Sequence, residues 1–71
     1  MTPKSYIKYL KKNVKVGDLF VYYSELRNKK VVGLVIEVGD CELRVKWPDY
    51  CNYISFEHFA MYERCFKYIP G

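Results

Sequence analysis

The chain has 71 residues, 51% of them hydrophobic and 28% charged, with a formal net charge of +4. That length accommodates a single domain, and the apolar content is too high for a disordered chain. No apolar run approaches the roughly 18–20 residues of a membrane-spanning helix, and no apolar stretch follows the lysine-rich start as in a signal peptide.

Thr2-Pro3 reads as a helix start, with Thr2 as N-cap and Pro3 at the first helical position. The spacing predicts a helix from Pro3 to about Lys12. Ile7, Leu10 and Val14 form an apolar stripe, while Lys4, Lys8, Lys11 and Lys15 form a basic one. Val16-Gly17-Asp18 marks a turn. Leu19–Tyr23 is rich in strand formers, and Ser24–Lys30 is a polar, basic loop. Val31–Val38 is the clearest strand. Its alternation sets Val32, Leu34, Ile36 and Val38 on one face and Val31, Gly33, Val35 and Glu37 on the other. Gly39-Asp40 is a two-residue hairpin signal with glycine available for positive φ. In Glu42–Trp47, Leu43, Val45 and Trp47 face inward while Glu42, Arg44 and Lys46 face outward. Pro48–Asn52 is a turn and Tyr53-Ile54 a short strand. Ser55 caps a single helical turn in which Phe56 and Phe59 share a face. Cys65–Ile69 is the last strand. The expected organisation is a basic amphipathic helix over residues 1–15 packed on a small β-domain over residues 16–71.

Charge is unevenly spread. Residues 1–30 carry eight basic and two acidic side chains; residues 31–71 carry four and six. Lys4, Lys8, Lys11 and Lys15, with Arg27, Lys29 and Lys30 of the first loop, are candidate phosphate contacts. Only three of the twelve basic residues are Arg, so such contacts would be backbone-directed rather than base-reading. An acidic protein surface would suit the same residues. Aromatic residues are 18% of the chain, including eight Tyr and Trp47. That is more than one small core holds, so an exposed aromatic cluster is expected. Tyr22, Trp47, Tyr50 and Tyr53 are its candidate members, with Trp47 also a core candidate by alternation.

Catalysis is not expected. The one histidine, His58, lies between Phe56 and Phe59 on a packed turn and reads as a partly buried structural side chain. Cys41, Cys51 and Cys65 are an odd set with no close pair of the zinc-ribbon kind. They point to reduced thiols in a cytoplasmic compartment, with no metal or cofactor.

Five short strands with frequent turns predict a small barrel or tight sandwich. The order V-G-D at 16–18, a polar loop, V-V-G-L-V-I-E-V at 31–38, a tight turn, L-R-V-K-W at 43–47, a short strand, a helical turn and a last strand resembles a Src-homology-3-like barrel. It is similar to the KOW-type, Tudor-type and Mib/Herc-type small barrels, and to compact barrels among bacteriophage proteins. Residues 45–52, V-K-W-P-D-Y-C-N, resemble a Tudor strand running into Asp-Tyr-Gly-Asn, with Cys51 where that pattern has glycine. The resemblance covers residues 16–69. It implies a mainly β fold: a five-stranded barrel with a short N-terminal helix and one helical turn before the last strand. It also implies that Tyr22, Tyr23, Trp47, Tyr50 and Tyr53 meet at one end as a groove. Such grooves stack bases, grip Pro-rich peptides or cage methylated cations.

The function expected from these features is non-enzymatic: an accessory protein binding nucleic acid, or a nucleic-acid-bound machine, through its phosphate backbone. The alternative is a phage-type interaction module that holds a host or virion protein on its Tyr-rich surface, in the host cytoplasm.

Overall fold

The computed structural model describes residues 2–71. Helix α1 spans Pro3–Asn13. The Thr2 side chain accepts a hydrogen bond from the Ser5 N–H at 3.2 Å, and Pro3 has no N–H to leave unpaired. An eleven-residue helix is marginal alone, and α1 is held by its packing on the second helix. Its buried stripe is Tyr6, Leu10 and Val14, with Ile7 only half-buried. Leu10 and Val14 are buried as expected; only at the first position does the larger Tyr6 ring take the place beside the core in place of Ile7. Gly17 has φ +100°, a conformation that favours glycine. Its N–H donates to the Val35 carbonyl at 2.9 Å and turns the chain into the sheet.

The strands are β1 (Leu19–Ser24), β2 (Lys29–Val38), β3 (Glu42–Lys46), β4 (Cys51–Ser55) and β5 (Phe66–Ile69); helix α2 (Phe56–Met61) separates the last two. All pairings are antiparallel, in the order β4-β3-β2-β1-β5. The mainly β, five-stranded architecture is thus present as one open sheet. Strands β4 and β5 are its two edges and do not pair, so the sheet itself does not close into a barrel. Ser55 caps α2, its Oγ accepting from the His58 N–H at 3.0 Å.

The inner face of β2 is Val31, Gly33 and Val35, not the four-residue aliphatic row beginning at Val32. Register decides this. Phe20 lies opposite Gly33 and Tyr22 opposite Val31, and opposed residues share a face. Phe20 is fully buried, so Gly33 must also point inward. Val32 and Leu34 remain 49% and 40% exposed on the outer face. A bulge between Val35 and Glu37 shifts the register, so Val38 rejoins the side of its partner Leu43. The next reversal also differs from expectation. The Gly39 N–H donates to the Glu42 carbonyl at 2.8 Å, so the chain turns at Asp40-Cys41. Among the described residues the only positive-φ glycine is Gly17; in the β1–β2 loop, Asn28 takes φ 49°, a conformation Asn tolerates.

One continuous core joins the inner sheet face to both helices. Phe20 stacks on Phe59 of α2, with centroids 4.3 Å apart, and Phe59 meets Phe66 edge-on at 4.9 Å. Gly33 is glycine because Trp47 lies against it. A Cβ there would stand 2.5 Å from Val45 Cγ1 and 2.6 Å from the indole.

The buried Asp18 ties the ends of the fold together. Its carboxylate accepts from the Lys15 N–H at 2.8 Å, the Tyr68 hydroxyl at 2.6 Å and the Gly71 N–H at 2.8 Å. The Tyr68 hydroxyl, then the Gly71 amide, hold this carboxyl below its ordinary pKa. Burial, then the bond to Asp18, push the Tyr68 hydroxyl well above its ordinary value. No helix among the described residues is long and apolar enough to cross a membrane.

Candidate functional site: an aromatic cleft with a basic mouth

The open sheet leaves a cleft of about 820 Å³ on its inner side, at the end bearing the β1–β2 loop and the Pro48–Tyr50 turn. Its volume lies within the range of small-ligand sites, about 300–1,000 Å³. Trp47 and Phe66 are nearly buried and form the floor; Tyr22 and Tyr50 rise from it, 36% and 60% exposed. Tyr22 comes from β1, with its centroid 5.1 Å from Phe66 and 6.5 Å from Trp47. The turn carrying Tyr50 is closed by the Trp47 N–H, which donates to the Tyr50 carbonyl at 2.7 Å. Asn52 reaches the floor from β4, where it faces Val45 in register.

The Trp47 Nε1–H donates to Asn52 Oδ1 at 2.8 Å. An indole N–H is only a donor, so the oxygen of Asn52 must face it. The carboxamide nitrogen then points elsewhere. It has no hydrogen-bond partner among the described residues and is not buried.

Arg27 lines the mouth from the β1–β2 loop and Lys29 from the start of β2; Glu42 and Asp49 line the β3–β4 side. His58 also borders the cleft. It is exposed rather than partly buried, its ring 4.8 Å from Tyr62 and 5.9 Å from Phe66. Position on a short two-turn helix explains the difference: Phe56 and Phe59 face the core and His58 falls between them on the open side.

The residues singled out from sequence therefore divide. Tyr22, Trp47, Tyr50 and Tyr53 all border this cleft, together with Arg27 and Lys29. Tyr53 contributes only an edge: its pairing with Arg44 sets it on the outer face, where the guanidinium lies 5.6 Å from its ring. Lys30 is outside the cleft, its ammonium 5.3 Å from the Tyr23 ring. Lys4, Lys8, Lys11 and Lys15 are exposed but do not line it. Lys15 precedes β1 and the loop follows it, so the six-residue strand separates them by roughly 17–20 Å. Lys11 lies over Phe56, 5.8 Å from its centroid. Phe66, His58 and Asn52 are members of the site that residue type and spacing did not single out.

Cys41 and Cys51 are exposed and Cys65 is half-buried, all as free thiols. Among the described residues no group of three His, Cys, Asp or Glu is placed to hold a metal ion. No family model, curated protein or solved structure matches the chain.

Proposed function

We propose that the chain is a non-enzymatic binding module that holds a single-stranded nucleic acid in the aromatic cleft. One observation carries the reading: exposed aromatic faces and two cations border the same groove. Tyr22 and Tyr50 offer faces for base stacking, which contributes about 1–3 kcal/mol per base. Arg27 and Lys29 at the mouth suit the phosphates that link those bases. Lys4, Lys8, Lys11 and Lys15 do not line the cleft. They extend the positive field instead.

The finer fold reading is a Src-homology-3-like barrel. It is supported by the β1–β4 meander, the return of β5 to β1 and the short helix between β4 and β5.

The test is fluorescence anisotropy with labelled single strands at roughly 50 and 200 mM salt. Affinity is expected to fall about tenfold or more across that range. Tyr50→Ala and the pair Arg27→Ser with Lys29→Ser should each weaken binding. The pair Lys4→Ser with Lys8→Ser should weaken it less. No binding at the lower salt refutes the reading. Glu42 and Asp49 favour a second one, in which the cleft takes an extended peptide carrying a basic side chain. Binding of a Pro-rich basic peptide, lost with Tyr50→Ala, would distinguish it.

A further inference from the structure

We infer that the outer face of the sheet docks an acidic amphipathic helix of another protein. Strand register builds this face in three rows. Ile69, Leu19, Leu34, Lys46 and Cys51 stand side by side from β5 to β4. Lys67, Val21 and Val32 form the second row, and Tyr23 and Lys30 the third. All lie opposite the face that carries Phe20, because side chains alternate along a strand and opposed residues share a face. Val32 and Leu34 are exposed, while Leu19 and Ile69 are half-buried. Val21, between Val32 and Lys67, is buried yet belongs to no part of the core. The face therefore carries an apolar patch of its own, and both helices of the chain pack on the other side.

Shape and charge name the occupant. The apolar residues span β5, β1 and β2, two inter-strand spacings or about 10 Å. That is the width of one α-helix, about 10–12 Å. From Leu19 to Tyr23 the rows extend about 13 Å along the strands, room for about two and a half helical turns. Cations stand on both flanks and at one end: Lys46 on β3, Lys67 on β5, and Lys30 beside Tyr23, all exposed. The rows contain no acid. A helix whose apolar stripe is bordered by Asp or Glu complements this arrangement in both respects. A second copy does not: pairing the face with itself about a two-fold axis sets cation against cation, whichever flank meets which. Nor does the face offer an exposed ring for base stacking. Tyr23 is half-buried, with the Lys30 ammonium 5.3 Å from its ring. None of these apolar residues lines the cleft, so the inference stands apart from the nucleic-acid reading.

The probe is a labelled synthetic helix of about fourteen residues. It has leucines at i, i+3, i+4 and i+7 spacing, with glutamates on either side of them. A second peptide carries lysine in place of every glutamate. Binding to the whole chain is followed by fluorescence anisotropy and mapped by amide NMR shifts. The acidic helix is expected to bind about tenfold more tightly than the basic one, with the largest shifts at Val21, Val32 and Leu34. Val32→Thr with Leu34→Thr keeps strand-forming residues, removes apolar surface and should weaken the acidic helix about fivefold or more. Lys46→Glu with Lys67→Glu should reverse the preference between the two peptides.

Equal affinity for the two peptides, or no binding of the acidic one at roughly millimolar concentration, overturns the inference. Shifts confined to the cleft around Tyr22 and Tyr50 overturn it too. Concentration-dependent shifts of Val32 and Leu34 without peptide would make a second copy the occupant. Binding to vesicles of equal parts phosphatidylcholine and phosphatidylserine, lost with Leu34→Thr and with no response to the helix, would make it a lipid surface. Either of these results also overturns the inference. Comparison of the two peptides on the wild-type chain needs no substitution, so it decides even where a variant fails to fold.

Discussion

Replacing Gly33 with alanine should displace Trp47 and destabilise the domain. The new Cβ would meet Val45 Cγ1 at 2.5 Å and two indole carbons at 2.6 and 2.7 Å. Comfortable carbon contacts are about 3.5–4.0 Å, so neighbours must yield by about an ångström. Neither has room: Val45 is fully buried and Trp47 is 4% exposed. Overpacking of this kind costs about 1–3 kcal/mol. Reduced freedom of the unfolded chain returns only about 0.4–1 kcal/mol, so the net effect is destabilising. A net loss of about 1 kcal/mol lowers the Tm of a domain this small by roughly 4–8 °C. Thermal unfolding followed by circular dichroism measures this. Because Trp47 is the only tryptophan, its emission reports the ring directly and should shift as the Asn52 bond is strained. An unchanged Tm and an unchanged emission spectrum would refute the packing argument and the rigid cleft floor built on it.

Stability should depend on pH at both extremes through Asp18 and Tyr68. The Asp18 carboxyl is depressed in the folded chain, so its contribution is fully present above about pH 4 and is lost as pH falls through the folded value. Tyr68 is raised, so its contribution holds below about pH 10 and is lost as pH rises through its folded value. In urea unfolding across pH, Asp18→Asn should flatten the acid limb and Tyr68→Phe the alkaline one; unchanged limbs would discard the coupling. Phe59→Ala removes a fully buried ring that touches Phe20 and Phe66 and should cost about 3–5 kcal/mol, leaving little or no folded protein by circular dichroism. Thr2→Ala removes an exposed cap and should cost at most about 1 kcal/mol, with nucleic-acid affinity unchanged.

The order of elements was readable from punctuation. Thr2-Pro3, Gly17-Asp18 and Ser55 each supply a turn or cap through their own side chain or backbone. Which face of β2 is buried was not readable, because both faces are apolar. Phe20 settles it from the neighbouring strand, and the bulge then reverses the parity that places Val38. The Asp18 cluster was equally hidden. Its partners Tyr68 and Gly71 lie 50 and 53 residues away, and no local pattern marks such a bond. In the cleft, Tyr22, Trp47, Tyr50 and Tyr53 stood out by residue type. Phe66 looks in sequence like any core aromatic. Asn52 looks like a turn residue until its register with Val45 turns it inward.

The placement of β1 between β2 and β5 has a kinetic consequence. Its first neighbour follows within a short hairpin, but its second arrives only after residues 66–69. Loop closure on that scale carries an entropy cost that the β1–β2 pairing avoids, and we expect it to follow that pairing in folding. The Asp18 bonds to Tyr68 and Gly71 belong to the same late step. Interactions formed after the transition state alter unfolding rates far more than folding rates. Loss of the Asp18 carboxylate should therefore steepen escape from the native state while the chain folds nearly as fast as before. In Asp18→Asn, faster unfolding with a nearly unchanged folding rate is the expected result, and slowed folding would refute it.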